Sequence, residues 1–161
     1  MCIRDRAPLL SVFGGKITTY RKLAEHALEK IAPWFPHMKA PWTADAPLPG
    51  GDLGGISLEQ FVERLAAERP ALPVELLHAL ATRHGALTPQ VLGDAQSPHA
   101  LGQYFGHTLY AREIDYCMQQ EWARTAEDLL WRRTKCGLHL NSSQKQALVD
   151  YVTIATARLI G

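Results

Sequence analysis

The residues with the most chemical promise lie near the start of the chain, in Gly14-Gly15-Lys16-Ile17-Thr18-Thr19. Adjacent glycines let a backbone turn tightly or approach a ligand closely. A lysine directly after them brings a long cation to the same point, and Thr18 or Thr19 is a candidate helix cap. Upstream, Leu9 to Phe13 is mostly apolar and reads as a short strand buried on both faces. Downstream, Leu23, Ala27 and Ile31 recur every four residues beside Ala24 and Leu28, which makes one face of a helix. Strand, Gly-Gly turn and helix start together would gather the N–H groups of Lys16, Ile17 and Thr18 at the positive end of a helix dipole. That point suits an anionic or electron-rich group. A P-loop is excluded, because the positions that need its first glycine and its Ser or Thr hold Leu10 and Ile17. A connection whose glycines serve packing only remains open on the local pattern.

Other chemistries find less support. Among the seven histidines the closest pairs are His78 with His84 and His99 with His107, and neither has i, i+4 spacing. No HExxH occurs, so no metal site is expected. There is no GxSxG, and Asp45, Asp52 and Glu59 lack partners that would mark an acid–base pair. Cys2, Cys117 and Cys136 are odd in number without CxxC spacing, which points to a reducing compartment and no disulfide framework. The cluster Trp131-Arg132-Arg133-Thr134-Lys135 puts cations in a last helical turn, where they favour the negative dipole end. An anion or domain contact is the competing reading.

The elements that must position these residues are mostly helical. A chain of 161 residues, 47% hydrophobic and 20% charged, suits a soluble domain or a small domain with part of another. A net charge of +1 makes no global case for nucleic acid. Residues 33–56 read as a linker, with five prolines and then Gly50, Gly51, Gly54 and Gly55. Trp34, Phe35 and Trp42 within it suggest packing onto a surface. From Ser57 onward the pattern is helical. Ser57-Leu58-Glu59-Gln60 is a capping box, and Pro70 ends the helix it starts. Pro73 opens a second helix closed by His84-Gly85, and Thr88-Pro89 starts a short third that stops at Gly93. Residues 94–109 read as a loop, and Arg112 to Glu121 returns to helix. Thr125 to Asp128 resembles another capping box, and Asn141 or Ser142 caps a last helix carrying Leu148, Tyr151 or Val152, Ala155 and Leu159. The expected fold is mainly α: five or six helices over residues 57–161, preceded by one strand and one helix.

Residues 11–25, Ser-Val-Phe-Gly-Gly-Lys-Ile-Thr-Thr-Tyr-Arg-Lys-Leu-Ala-Glu, resemble the C-terminal flavin-contacting segment of the aerobic, FAD-dependent glycerol-3-phosphate dehydrogenases. Residues 121–135 resemble a second signature stretch of the same family, in its C-terminal helical domain. The resemblance implies that residues 7–32 are the last strand and helix of an FAD-binding α/β domain, that 33–56 are a linker, and that 57–161 are the helical domain. Residues 1–6 lie outside it and resemble translated adapter sequence, so the chain reads as the C-terminal part of a longer enzyme with an artefactual start. The family oxidises sn-glycerol 3-phosphate to dihydroxyacetone phosphate with FAD and passes electrons to quinone. The implied setting is cytoplasmic, at the inner face of the cytoplasmic membrane, with oligomerisation possible. Gly14, Gly15, Lys16, Ile17 and Thr18 become expected cofactor contacts, with Lys16 at the flavin edge or substrate phosphate. The competing class is a free-standing helical protein-interaction module, which would have no use for the lone strand at Leu9–Phe13. No GxGxxG pyrophosphate fingerprint occurs in the chain. The purified 161-residue chain is therefore expected to be colourless, and a stoichiometric flavin absorbance spectrum would contradict this reading.

Overall fold

A computed structural model describes the backbone of residues 9–160 and the side chains of residues 9–157. Residues 1–8 and the Leu159 side chain, named above, lie outside the described residues. The chain divides into two units between Pro47 and Leu48.

In the first unit a single 3₁₀ turn, Ile17–Thr19, leads into helix α1, Tyr20–Ile31, and a second 3₁₀ turn follows at Ala32–Trp34. The spacing of Leu23, Ala27, Leu28 and Ile31 gives α1 an apolar face, yet the helix buries none of its residues. Leu9–Phe13, expected as a strand, is irregular and exposed. The reason is physical: a strand needs a neighbour for its N–H and C=O groups, and the described part of this unit contains none. Thr19 does not cap α1 either. Its hydroxyl donates to the Lys16 carbonyl at 3.1 Å.

The second unit is a helical domain with two apolar clusters. Helix α2, Leu58–Glu68, starts at the expected capping box: the Ser57 hydroxyl accepts from the Gln60 N–H at 3.2 Å, and the Gln60 side chain accepts from the Ser57 N–H at 3.0 Å. Helix α3, Val74–His84, and the five-residue α4, Thr88–Leu92, end at Gly85 and Gly93, both with positive φ. At Gly85 a glycine is required twice over. Its φ is 53°, and a Cβ there would strike the Gly50 carbonyl, which accepts from the Ala86 N–H at 2.9 Å. Phe61, Leu65, Leu77, Leu80 and Leu92 form the first cluster, between α2, α3 and α4.

Residues 94–109, expected as a loop, contain a 3₁₀ turn at Pro98–Leu101 and the first strand of an antiparallel hairpin. Its strands are β1, Tyr104–Gly106, and β2, Leu109–Tyr110, paired Tyr104 to Tyr110 and Gly106 to Leu109 with an irregularity between. Strands of three and two residues are too short to show an alternating pattern. Helix α5, Ala111–Gln120, follows directly. Residues Asp128–Arg133 then wind as a π-helix, in which the Thr134 N–H donates to the Leu129 carbonyl five residues back at 3.0 Å. The last helix, α6, spans Ser142–Ile160. Asn141 is its cap, accepting from the Gln144 N–H at 3.0 Å while the Gln144 side chain accepts from the Asn141 N–H. Ile114, Cys117, Leu129, Leu148 and Val152 form the second cluster.

Burial decides local stability. Amide hydrogen exchange should label residues 9–47 early and protect α2, α3, α5 and the first turns of α6. Equal protection in both units would contradict this.

Candidate functional site

The turn singled out by sequence has the backbone its glycines suggest. Gly14 and Gly15 sit at φ of 77° and 132°, and a Cβ on Gly15 would come within 2.8 Å of Leu23 Cδ2. Gly15 therefore lets α1 lie against the turn that starts it. Lys16 is extended, at φ −84° and ψ 136°. The first hydrogen bonds of the 3₁₀ turn run from the Thr19 N–H to the Lys16 carbonyl at 3.0 Å and from the Tyr20 N–H to the Ile17 carbonyl. The helical ladder thus begins with Thr19, and the Ile17 and Thr18 amides stand ahead of it as outermost donors. Gly14, Gly15, Lys16, Ile17 and Thr18 are brought together as one exposed turn.

In the helical unit the structure assembles a site that sequence reading did not single out. Glu113, in the first turn of α5, is almost fully buried. Arg83 from α3 grips it with two parallel bonds, Nε to Oε1 at 2.6 Å and Nη2 to Oε2 at 2.8 Å. The His84 Nε2 lies 2.8 Å from the same Oε1. Arg83 also donates to the Thr108 hydroxyl at 3.2 Å, which ties the hairpin to the pair. His84 Nδ1 faces Glu121 at 3.6 Å, and its ring meets Tyr116 edge-on. Burial pushes the Glu113 carboxyl up. The His84 hydrogen bond and the Arg83 charge and hydrogen bonds together outweigh that, so it ends below the ordinary carboxylate range. Burial likewise pushes the Cys117 and Cys136 thiols up, and both are inert core residues. The assembly is a buried ion pair that ties α3 to α5.

The basic cluster also finds structural partners. Arg132 Nη1 donates to Asp128 Oδ1 at 2.9 Å, and Arg133 donates twice to the Glu121 carbonyl, at 3.1 and 2.7 Å. Lys145 lies 5.2 Å from the Trp131 ring centre. Asp128 accepts from the Arg124 N–H and from the N–H and hydroxyl of Thr125, which holds its carboxyl down at about 2. A polar groove of about 660 Å³ runs past Gln90, Gln103, Arg112, Asp115 and Tyr151. Its charged groups are engaged: Asp115 accepts from the Tyr151 hydroxyl at 2.9 Å, and Arg112 donates to Asp94 at 2.7 Å. Among the described residues no group of three or more His, Cys, Asp or Glu could hold a metal ion.

Residues 41–160 match the protein family described as the C-terminal domain of alpha-glycerophosphate oxidase. The chain belongs to this family. Its relatives include the aerobic glycerol-3-phosphate dehydrogenase of Escherichia coli strain K12, 45% identical over 150 residues that cover 91% of this chain and 30% of that protein. The glycerol-3-phosphate dehydrogenase of Pseudomonas aeruginosa PAO1 is 48% identical over 145 residues, 90% of this chain and 28% of that protein. The D-erythritol 1-phosphate dehydrogenase of Brucella abortus strain 2308 is 44% identical over 145 residues, 90% of this chain and 29% of that protein. The chain thus spans about 30% of the length of the curated relatives it matches.

The buried pair generates a stability prediction. Glu113→Gln should destabilise the helical unit by about 3–5 kcal/mol, because it leaves Arg83 buried without its counter-charge. The double variant Arg83→Met/Glu113→Leu should recover most of that loss in urea denaturation. In the parent chain the contribution of Glu113 is fully present above the unfolded carboxylate value of 4.5 and falls away as pH drops below it. A melting temperature independent of Glu113 between neutral pH and pH 3 would contradict the assignment.

Proposed function

We propose that this chain is the C-terminal part of an FAD-dependent dehydrogenase that oxidises sn-glycerol 3-phosphate to dihydroxyacetone phosphate and passes the electrons to quinone at a membrane surface. The observation that carries this reading is the 45–48% identity to two glycerol-3-phosphate dehydrogenases over nine-tenths of the chain. On the same reading residues 7–32 complete an FAD-binding domain, residues 33–56 link it to the helical domain of residues 57–161, and the enzyme works at the inner face of the cytoplasmic membrane. The uncovered apolar face of α1 and the unpaired Leu9–Phe13 segment fit chains that dock onto a sheet supplied by such a domain. A free-standing interaction module is not favoured, because the relatives are enzymes more than three times as long.

The residues of the turn fit an FAD edge. A Cβ on Gly14 would meet nothing within 4 Å, so its positive φ is not imposed by packing against a side chain. It opens the turn to close approach. When bound, FAD supplies the hydride acceptor. The outermost N–H groups of Ile17 and Thr18 would donate to a negatively charged flavin edge, aided by the α1 dipole. The Lys16 ammonium would neutralise that edge or the substrate phosphate, and Gly14 and Gly15 would keep side chains out of the contact. A second reading has its own support, since the D-erythritol 1-phosphate relative is 44% identical over as much of the chain. Both substrates are polyol phosphates, so the Lys16 role is shared.

In the complete enzyme, Lys16→Met should leave flavin content and melting temperature unchanged while kcat/KM falls by on the order of 2–4 kcal/mol in transition-state stabilisation. Unaltered turnover per bound flavin would remove Lys16 from the site. Comparing kcat/KM for glycerol 3-phosphate and D-erythritol 1-phosphate on one preparation decides between the two substrates.

A further inference from the structure

The groove of about 660 Å³ beside α5 has the size of a small-molecule site, which runs from roughly 300 to 1,000 Å³. Four of its lining side chains are glutamines. Gln90 comes from α4, Gln103 stands just before β1, and Gln119 and Gln120 end α5. All four are exposed, and among the described residues their carboxamides have no hydrogen-bond partner. The glutamines that are tied into the fold lie outside the groove. Gln60 and Gln144 close the capping boxes of α2 and α6, and Gln146 donates to Asp150 at 2.9 Å.

The walls that carry these amides are fixed. Gly102 sits at φ 76°, and a Cβ there would come within 3.1 Å of the Ala111 Cβ. The Ala111 N–H donates to the Gln103 carbonyl at 2.9 Å, so the backbone of Gln103 is held against the start of α5. Arg112 lies across Gly93, where a Cβ would meet its Nη1 at 3.1 Å, and Asp94 holds its Nη2 at 2.7 Å. Asp115 Oδ1 accepts from the Tyr151 hydroxyl, and the Tyr151 ring meets Phe105 edge-on with 5.4 Å between centroids. Tyr116 is half-buried and packs against both apolar clusters. A rigid frame thus presents unpaired amides around a neutral space, which is a preorganised arrangement.

We propose that this groove binds a neutral polyhydroxylated ligand, a short sugar chain or an open-chain polyol. A hydroxyl both donates and accepts, and a carboxamide offers a donor and an acceptor side by side. Four unpaired carboxamides around one groove therefore match a row of hydroxyls, with Asp115 as a further acceptor. Tyr116 and Tyr151 line the same groove and supply apolar surface for the C–H groups of the ligand. A phosphate ester fits poorly. Arg112 is the only cation among the described lining residues, Asp94 already engages it, and Asp115 adds a negative charge to the same wall. The groove therefore calls for a different chemistry from the Lys16 turn, and its occupancy does not depend on the oxidation proposed above.

The experiment is titration of the full 161-residue chain, isotope-labelled at nitrogen, with maltotriose and separately with sorbitol, following the side-chain amide resonances by NMR. The signals of Gln90, Gln103, Gln119 and Gln120 should shift and saturate, while those of Gln60 and Gln144 stay in place. Saturation by maltotriose alone assigns a ring sugar, and saturation by sorbitol alone assigns the open chain. Gln103→Ala/Gln119→Ala should weaken binding about tenfold, the loss expected from two hydrogen bonds. Both positions are exposed, so the melting temperature should not move. Inorganic phosphate and triglycine, added as an anion and as a peptide backbone, should bind more weakly than the better of the two polyhydroxylated probes. The proposal is overturned if neither probe saturates, if shifts grow linearly over all glutamines alike, or if the double variant binds undiminished. Tighter binding of phosphate or of triglycine overturns it too. None of these results bears on flavin content or turnover, so the enzyme reading stands or falls separately.

Discussion

The helical unit depends on a carboxylate that burial would disfavour by itself. Glu113 sits 2% exposed at the start of α5, and its charge is tolerable only because Arg83 and His84 reach it from the end of α3. The position of Arg83 is itself favourable, since a cation in the last turn of a helix meets its negative dipole end. Gly85 then turns the chain away at once, with the Gly50 backbone packed against it. The pair is costly to break and not intrinsically strong, because desolvation of both partners offsets most of their attraction. What it supplies is geometry. A bidentate guanidinium–carboxylate contact fixes α3 against α5, and the Thr108 bond fixes the hairpin to both.

That geometry joins the two apolar clusters. The first is made by α2, α3 and α4, the second by α5, the π-helical segment and α6. Tyr116 on α5 packs against both clusters and meets the His84 ring edge-on. Losing either ionic partner therefore leaves a buried charge at a junction, where it can loosen two clusters at once. The polar groups around the π-helical segment act more locally. Arg133 satisfies the carbonyl of Glu121 just past the end of α5, and Thr134 satisfies Leu129. They keep an irregular stretch free of unmade hydrogen bonds.

The first unit stands under the opposite constraint. It has an amphipathic helix, a glycine turn and exposed aromatic side chains at Trp34, Phe35 and Trp42, but none of its described residues is buried. Its surfaces divide by chemistry. The α1 face is aliphatic, and the preceding turn presents backbone donors and one lysine. Residues 33–42 present aromatic rings among cations.

The features legible in the sequence are those closed within one turn of chain. Ser57 with Gln60, Asn141 with Gln144, and Thr125 with Asp128 all pair three residues apart, so residue type and spacing suffice to announce them. The positive φ at Gly14, Gly15, Gly85 and Gly93 follows in the same way from glycine beside a periodic run. Tertiary structure decided whatever needs a distant partner. Glu113 looks in sequence like any exposed helical acid, and its burial depends on Arg83 thirty residues earlier. The hairpin depends on register across a turn and not on periodicity within either strand. Leu9–Phe13 has a strand's composition and no strand, because composition offers apolar side chains while a strand requires a neighbour's hydrogen bonds.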